Sequence, residues 1–179
     1  MEEQPNLNYR LIPELEETGS KKELEGVLPL AHFYRGHQLF ELDGGISYQI
    51  ELSNIGEGVL LRGRARGIGS TECARCLEEA SFDVEGDVEG FFILNPSEQE
   101  KEQSDDEFTA VPKDGIIDLK PPVVAALIYE MPLVLLCKQD CAGLCQNCGA
   151  DLNVETCNCT WAPDSDHPFA KLKDLISQN

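Results

Sequence analysis

Positive charge is what this sequence lacks most. Only 14 Lys and Arg stand against 33 Asp and Glu, giving a formal net charge of −19 and a sequence pI near 4.3. Proteins that grip bare nucleic acid present a basic face, so a chain this acidic is poorly suited to that work. Aromatic residues are sparse at 7%, with a single tryptophan, Trp161, which leaves few platforms for base stacking. Long apolar runs are also missing. The longest, residues 123–136, is interrupted by Tyr129-Glu130 and by Pro132 and is too short and broken to span a bilayer. The opening Met1-Glu2-Glu3-Gln4-Pro5-Asn6 is neither a basic leader nor an Arg-rich transit peptide, so the expected location is cytoplasmic, with no membrane partner. His32, His37 and His167 are scattered, with no Ser or Asp grouped around them, and no Gly-rich phosphate loop follows a strand. The expectation is therefore a protein that is not an enzyme and has no small-molecule substrate.

What the chain does have is enough length for one domain, 179 residues, and 41% hydrophobic content, sufficient for a modest core. Its acid is unevenly spread. Residues 71–120 carry 4 basic and 15 acidic groups, whereas residues 1–70 carry 7 and 11. Within the acidic middle, residues 95–107 contain no apolar side chain, so residues 95–110 read as an acidic flexible linker. Residues 38–94 alternate apolar with polar, as in Ile46-Ser47-Tyr48-Gln49-Ile50-Glu51-Leu52, with Gly44-Gly45 and Gly56 as breakers; this is the pattern of half-buried antiparallel strands. Residues 1–37 are less defined: residues 14–25 suit a short helical turn, and residues 26–33 an edge strand or a loop. After the linker, residues 111–179 are expected to pack with the β region as one domain. They begin with a short strand at residues 115–119. A helix then opens at Pro121-Pro122 with Val123, Val124, Leu127 and Ile128 at helical spacing, and a last helix starts at Pro168.

Eight cysteines are the most informative content. They come as Cys73-x2-Cys76, Cys137-x3-Cys141, Cys145-x2-Cys148 and Cys157-x-Cys159. In a reducing compartment, close pairs of this kind point to metal ligands rather than disulfides, because one tight turn can aim two sulfurs at a single ion. Two closed Zn2+ sites account for all eight. Cys145, Cys148, Cys157 and Cys159 form a local knuckle, and Cys73, Cys76, Cys137 and Cys141 staple the sheet to the segment after the helix. The competing readings are one zinc with unligated cysteines, or a thiol-redox pair at Cys73 and Cys76 with Arg75 lowering a thiol pKa. A redox pair needs a helix start in a βαβ unit, and this one lies between strand-like stretches. His167 is a further possible zinc ligand, and Trp161, beside the knuckle, suits a packing role.

The first pair also suggests a hairpin. If residues 59–72 and 77–92 are its arms, facing residues have numbers that sum to about 149, which sets Arg66 opposite Asp83, Arg64 opposite Glu85 and Arg62 opposite Asp87, while Leu61, Ala65, Val84 and Val88 point to the other face. A slip of two residues keeps this matching and a slip of one destroys it. Arg62, Arg64 and Arg66 are then occupied by acids on the neighbouring strand rather than free for RNA.

The string Glu72-Cys73-Ala74-Arg75-Cys76-Leu77-Glu78, the acidic linker, Met131-Pro132-Leu133, then Cys137-x3-Cys141-Ala142-Gly143-Leu144-Cys145-x2-Cys148-Gly149-Ala150-Asp151-Leu152-Asn153 and Cys157-x-Cys159 resembles the YceD family, the large ribosomal RNA subunit accumulation proteins of bacteria and plastids. Pro168-Phe169-Ala170-x-Leu172 fits its closing segment, and the resemblance runs from about Leu39 to the C-terminus. His167-Pro168 departs from the Asp-Pro-Arg-like sequence more usual there, and no role is assigned to it. The resemblance implies a ribosome biogenesis factor promoting accumulation of large-subunit (23S) ribosomal RNA, in a family linked with a small zinc-ribbon protein of the large subunit.

Fold expectation and charge combine into one reading. The fold class is α+β, mainly an antiparallel β-sheet with a few short helices and a cysteine-rich zinc-binding C-terminal segment. Acidity suits a basic partner, and together with what the resemblance implies the expected partner is a basic large-subunit ribosomal protein, with contact to ribosomal RNA indirect or weak. A direct RNA-binding zinc protein, using the knuckle and Arg62, Arg64 and Arg66, is the alternative, and a Cys-x-x-Cys redox enzyme the next.

Overall fold

The computed structural model describes residues 5–11, 15, 17–94 and 109–159. Most of the expected acidic linker, the expected helix at Pro168, and Trp161 and His167 lie outside the described residues. The described elements are β1 (Asn8–Arg10), β2 (Lys21–Leu28), β3 (His32–Arg35), β4 (Gln38–Asn54), β5 (Gly58–Glu72), β6 (Glu79–Ile93), β7 (Thr109–Ala110), β8 (Ile116–Asp118) and α1 (Lys120–Glu130). The molecule is thus mostly β-sheet, with one helix among the described residues where a few were expected. That helix opens on Pro121 and Pro122, whose ring geometry suits a first turn. It is not long and apolar enough to cross a membrane, nor is any other helix among the described residues.

The main sheet runs β2-β4-β5-β6-β7, with β3 also paired to β4; all pairings are antiparallel except β6 with β7. β1 and β8 form a separate two-stranded ribbon. The described part of the first 37 residues therefore joins the sheets through β1, β2 and β3. Of residues 14–25, where a short helical turn was expected, 14 and 16 lie outside the described residues, and from Lys21 onward the chain is extended instead. Glu23, Glu25 and Val27 face solvent and alternate with Leu24 and Leu28, a period of two that overrides helical propensity once a partner strand is available. Asn54, 3% exposed, ties this N-terminal part down. Its side-chain amide donates to the Leu15 carbonyl at 2.6 Å, and its oxygen accepts from the Gly56 amide at 2.7 Å.

Gly44-Gly45 does not break the strand as the sequence suggested. β4 runs through it as a bulge, and the register against β5 shifts between Leu42 and Ile46. Both glycines have positive φ, and a Cβ on Gly45 would stand 2.2 Å from the Leu28 carbonyl oxygen, so the bulge requires glycine there.

The β5–β6 hairpin is the backbone of the fold. Alternation sends Leu61, Ala65, Val84 and Val88 into the core and the arginines and acids to solvent, as the sequence implies. The register differs by two residues: Arg66 faces Glu85, Arg64 faces Asp87 and Arg62 faces Glu89. The cause is the turn. It spans residues 73–78 rather than 73–76 and is closed by the Cys73 amide donating to the Glu78 carbonyl at 2.7 Å, with Leu77 at φ 65 reversing the chain. The side chains nevertheless meet along the diagonal in two of the three sequence-derived pairs, while Asp87 is approached by Arg64 at 3.7 Å and not by Arg62. Arg66 binds Asp83 through two hydrogen bonds of 2.8 and 2.5 Å, and Arg64 binds Glu85 at 3.0 Å. Helix α1 covers the apolar face, burying Val123, Ala126 and Leu127 against β5 and β6.

Candidate metal centres

Both cysteine clusters grow out of backbone turns at the far end of this hairpin. Cys73 and Cys76 flank its tip. Cys137 and Cys141 follow the helix on a segment that Arg35, Ala74 and Arg75 hold by four hydrogen bonds. Arg35, whose guanidinium lies over the Phe40 ring, donates to the Met131 and Pro132 carbonyls at 3.0 and 2.8 Å. The Ala74 amide donates to the Leu135 carbonyl at 2.9 Å. Arg75, in the centre of the first pair, directs its guanidinium at the Cys141 carbonyl, 2.8 Å away.

Cys73, Cys76, Cys137 and Cys141 converge so that their sulfurs all lie within 4.8 Å of one another, and Cys145, Cys148, Cys157 and Cys159 do the same. These are the two groups the spacing suggested. A zinc ion about 2.3 Å from each of four sulfurs sets neighbouring sulfurs about 3.8 Å apart. The Cys73–Cys141 and Cys76–Cys137 separations are 3.8 and 3.5 Å, so the residues present fit a tetrahedral ion. All eight are free thiols, with no disulfide among them. Three of the first four are buried, whereas the second cluster is half-buried to exposed.

In each cluster the electrostatics favour thiolate at some sulfurs and the thiol at others. Burial opposes charge on Cys73, but the backbone amides of Cys76, Arg75 and Cys137 and the Cys76 thiol outweigh it and bring the pKa down to about 6. In the second cluster the amides of Cys148 and Asn147, with the Cys157 and Cys148 thiols, bring Cys145 to about 6. Cys76, Cys137, Cys157 and Cys159, beside these sulfurs, are pushed the other way. Cys159 rises to about 12 beside Cys148 and Cys145. Cys76 also rises to about 12: an amide contact from Glu78 works to lower it, while burial and three neighbouring thiols overcome that pull. Four crowded thiolates repel one another, and a divalent cation at their centre removes that repulsion.

Asn153 joins the two centres. It sits within the second module but donates its side-chain amide to the Cys141 sulfur at 3.4 Å, while its oxygen accepts from the Ala142 amide at 2.9 Å. Asp151 holds it in place, accepting from the Asn153 backbone amide at 2.9 Å and from its side chain at 2.7 Å. Backbone bonds reinforce the link, from Leu144 to the Arg75 carbonyl at 3.1 Å and from Leu152 to the Gly143 carbonyl at 2.9 Å. Neither Asn153 nor Arg35 stood out in the sequence. The only available signal was Asp151-Leu152-Asn153 lying directly between two cysteine pairs.

Arg62, Arg64 and Arg66 do not join either cluster; they lie on the solvent face of β5, among acids. The Cys73–Cys76 pair occupies a hairpin tip among four sulfurs, not a helix start.

The family model described as large ribosomal RNA subunit accumulation protein YceD matches residues 61–176. Uncharacterized proteins of Mycobacterium bovis and Mycobacterium tuberculosis are each 33% identical over 122 residues, 67% of this chain and 58% of the relative. An uncharacterized protein of Mycobacterium leprae is 28% identical over 149 residues, 79% of this chain and 65% of the relative. The chain thus spans less than two thirds of the length of these relatives. No solved structure matches it.

Proposed function

This chain belongs to the YceD family of large ribosomal RNA subunit accumulation proteins, and from that premise we propose that it is a cytoplasmic ribosome biogenesis factor, not an enzyme, that holds a basic large-subunit ribosomal protein. In this reading ribosomal RNA accumulates because its protein partner is shielded or delivered, and contact with the RNA itself is indirect or weak. The observation that carries it is the charge of the sheet. Arg64 and Arg66, which would have to meet phosphate, are engaged by Glu85 and Asp83 on the neighbouring strand, and the chain as a whole is at −19. An acidic surface attracts a basic protein at a rate that rises as salt falls.

All eight cysteines, Cys73, Cys76, Cys137, Cys141, Cys145, Cys148, Cys157 and Cys159, serve in this proposal as ligands of two Zn2+ ions. Bound zinc would supply no open coordination position for chemistry and would act as a cross-link. The protein's own part is to present the sulfurs from rigid turns and to deprotonate Cys73 and Cys145 readily.

A pull-down with the full chain as bait, at low and moderate salt, against purified basic large-subunit proteins and 23S ribosomal RNA fragments tests the reading. The expected result is capture of a basic protein, weakened by salt. Capture of naked RNA with no ribosomal protein would instead favour the direct RNA-binding alternative.

A further inference from the structure

Among the described residues β6 has an open edge. β5 pairs along one side of it from Glu79 to Ile93, but on the other side β7 reaches only Phe92 and Ile93. In an antiparallel pair every second residue turns its N–H and C=O away from the partner strand. Among the described residues no backbone hydrogen bond meets those outward groups between Ala80 and Gly90. A long unpaired edge is a template for another strand, and proteins that leave one open either guard it or use it.

The surroundings of this edge define what fits it. Along it runs a groove of about 260 Å³ between β6 and the helix, lined by Asp87 and Glu89 on one side and by Pro122, Ala125, Ala126 and Tyr129 on the other. Tyr129 is 86% exposed, and the small side chains of Ala125 and Ala126 leave the helix wall low. Asp83, Glu85, Asp87 and Glu89 occupy alternate, solvent-facing positions on the strand. The first two are bound to Arg66 and Arg64, whereas Asp87 has only a 3.7 Å approach from Arg64 and Glu89 has no ion pair among the described residues. Negative charge is therefore least compensated in the stretch that borders the groove.

We infer that the β6 edge between Ala80 and Gly90 is a strand-addition site for an extended basic segment of a partner protein, whose Lys or Arg side chains alternate above Asp87 and Glu89 while its intervening side chains lie toward Tyr129 and Ala125. A second copy of this chain is disfavoured as occupant, because pairing β6 with β6 brings two rows of carboxylates together. The inference rests on the basic-protein reading above and adds where on the molecule, and in which conformation, the partner binds.

The test uses the full, metal-containing chain and a synthetic peptide alternating Lys and Val, together with two versions N-methylated on every Lys or on every Val amide. Strand addition lets only one of the two alternating sets of peptide amides reach β6. One methylated version should therefore bind more than about tenfold more weakly than the parent peptide and the other nearly as well. Amide exchange within Ala80–Gly90 should slow on binding, and the double variant Asp87→Lys, Glu89→Lys should lose the peptide, with Asp87→Asn, Glu89→Gln as the milder pair if the first folds poorly. Equal loss from both methylated peptides, or unchanged binding by both double variants, would overturn the inference in favour of loose electrostatic adsorption. Protection of the same amides that rises with protein concentration alone would overturn it in favour of a second copy. The two levels separate in the pull-down. If the parent chain captures a basic ribosomal protein and the double variant captures it equally, the edge assignment fails and the functional reading stands. If the parent captures none while the peptide still slows exchange on β6, the edge stands and the functional reading fails.

Discussion

Asn153 is the residue on which the two metal centres depend jointly. Its amide hydrogen bond to the Cys141 sulfur is the only side-chain hydrogen bond among the described residues from the second module to a ligand of the first. Outer partners of this kind orient ligands and typically alter metal affinity about 10–100-fold. Asn153→Ala should weaken metal binding at the Cys73/Cys76/Cys137/Cys141 site by a factor in that range while leaving the other site's own ligands intact. Competition with a chelator, followed by the thiolate-to-Co2+ charge-transfer band of the cobalt-substituted protein, reads this directly, and equal loss at both sites would point to a general unfolding instead. The cysteines were legible in the sequence because tetrahedral coordination needs ligands in close pairs, and that need is written into spacing. Asn153 was not, because its job is set by a contact between two turns that only the folded chain brings together. The same holds for Arg75. Its position in Cys73-Ala74-Arg75-Cys76 suggested a thiol activator, but its guanidinium reaches the Cys141 carbonyl.

At the scale of elements, alternation carried the sheet. Strands β4, β5 and β6 follow from a period of two, and the helix from Pro121-Pro122 and the apolar spacing behind it. What alternation cannot encode is turn length. The six-residue tip at residues 73–78 moves the register by two, and the matching of Arg66 with Asp83 survives only because a shift of two keeps every side chain on its face. That pair has a pH signature. Arg66 holds the Asp83 carboxyl below its ordinary 3.8, so its contribution to stability is present above the ordinary value and fades as pH falls through the lower folded one. Asp83→Asn should thus lower the urea midpoint near neutral pH, and the difference from the parent should vanish at strongly acid pH; a difference that persisted there would assign the loss to packing. Contact between helix and sheet makes a second demand. A Cβ on Gly86 would stand 2.1 Å from the Ala126 carbonyl oxygen, so helix α1 can lie this close only over glycine. Gly86→Ala should cost about 1–3 kcal/mol in denaturant unfolding, with the helix displaced from β6.

Across the whole molecule, the sheet supplies the surface and the metal centres fix what is attached to it. The segment after the helix is apolar in sequence but largely exposed, with Leu133 91% and Val134 60% exposed and only Met131, Leu135 and Cys141 buried, so burial alone holds it weakly against the hairpin tip. Four sulfurs drawn from residues 73–76 and 137–141 would join it there, and the second cluster would brace that joint through Asn153. Eight thiolates on two Zn2+ ions would also leave the chain more acidic than its formal −19, at about −23, which sharpens the preference for a basic partner. Sequence and fold agree on the grouping of the cysteines because ligand spacing is a local property, whereas the β6 edge, open among the described residues, could be seen only after the strand order was known.

Native mass spectrometry of the intact chain, with a thiol titration on the same sample, decides whether the eight cysteines close two metal sites and so lock tail to sheet. Two zinc ions per chain are expected, with no thiol that reacts until the fold is lost. A folded chain in which Cys73 and Cys76 titrate as free thiols, with one metal ion or none, would contradict this expectation.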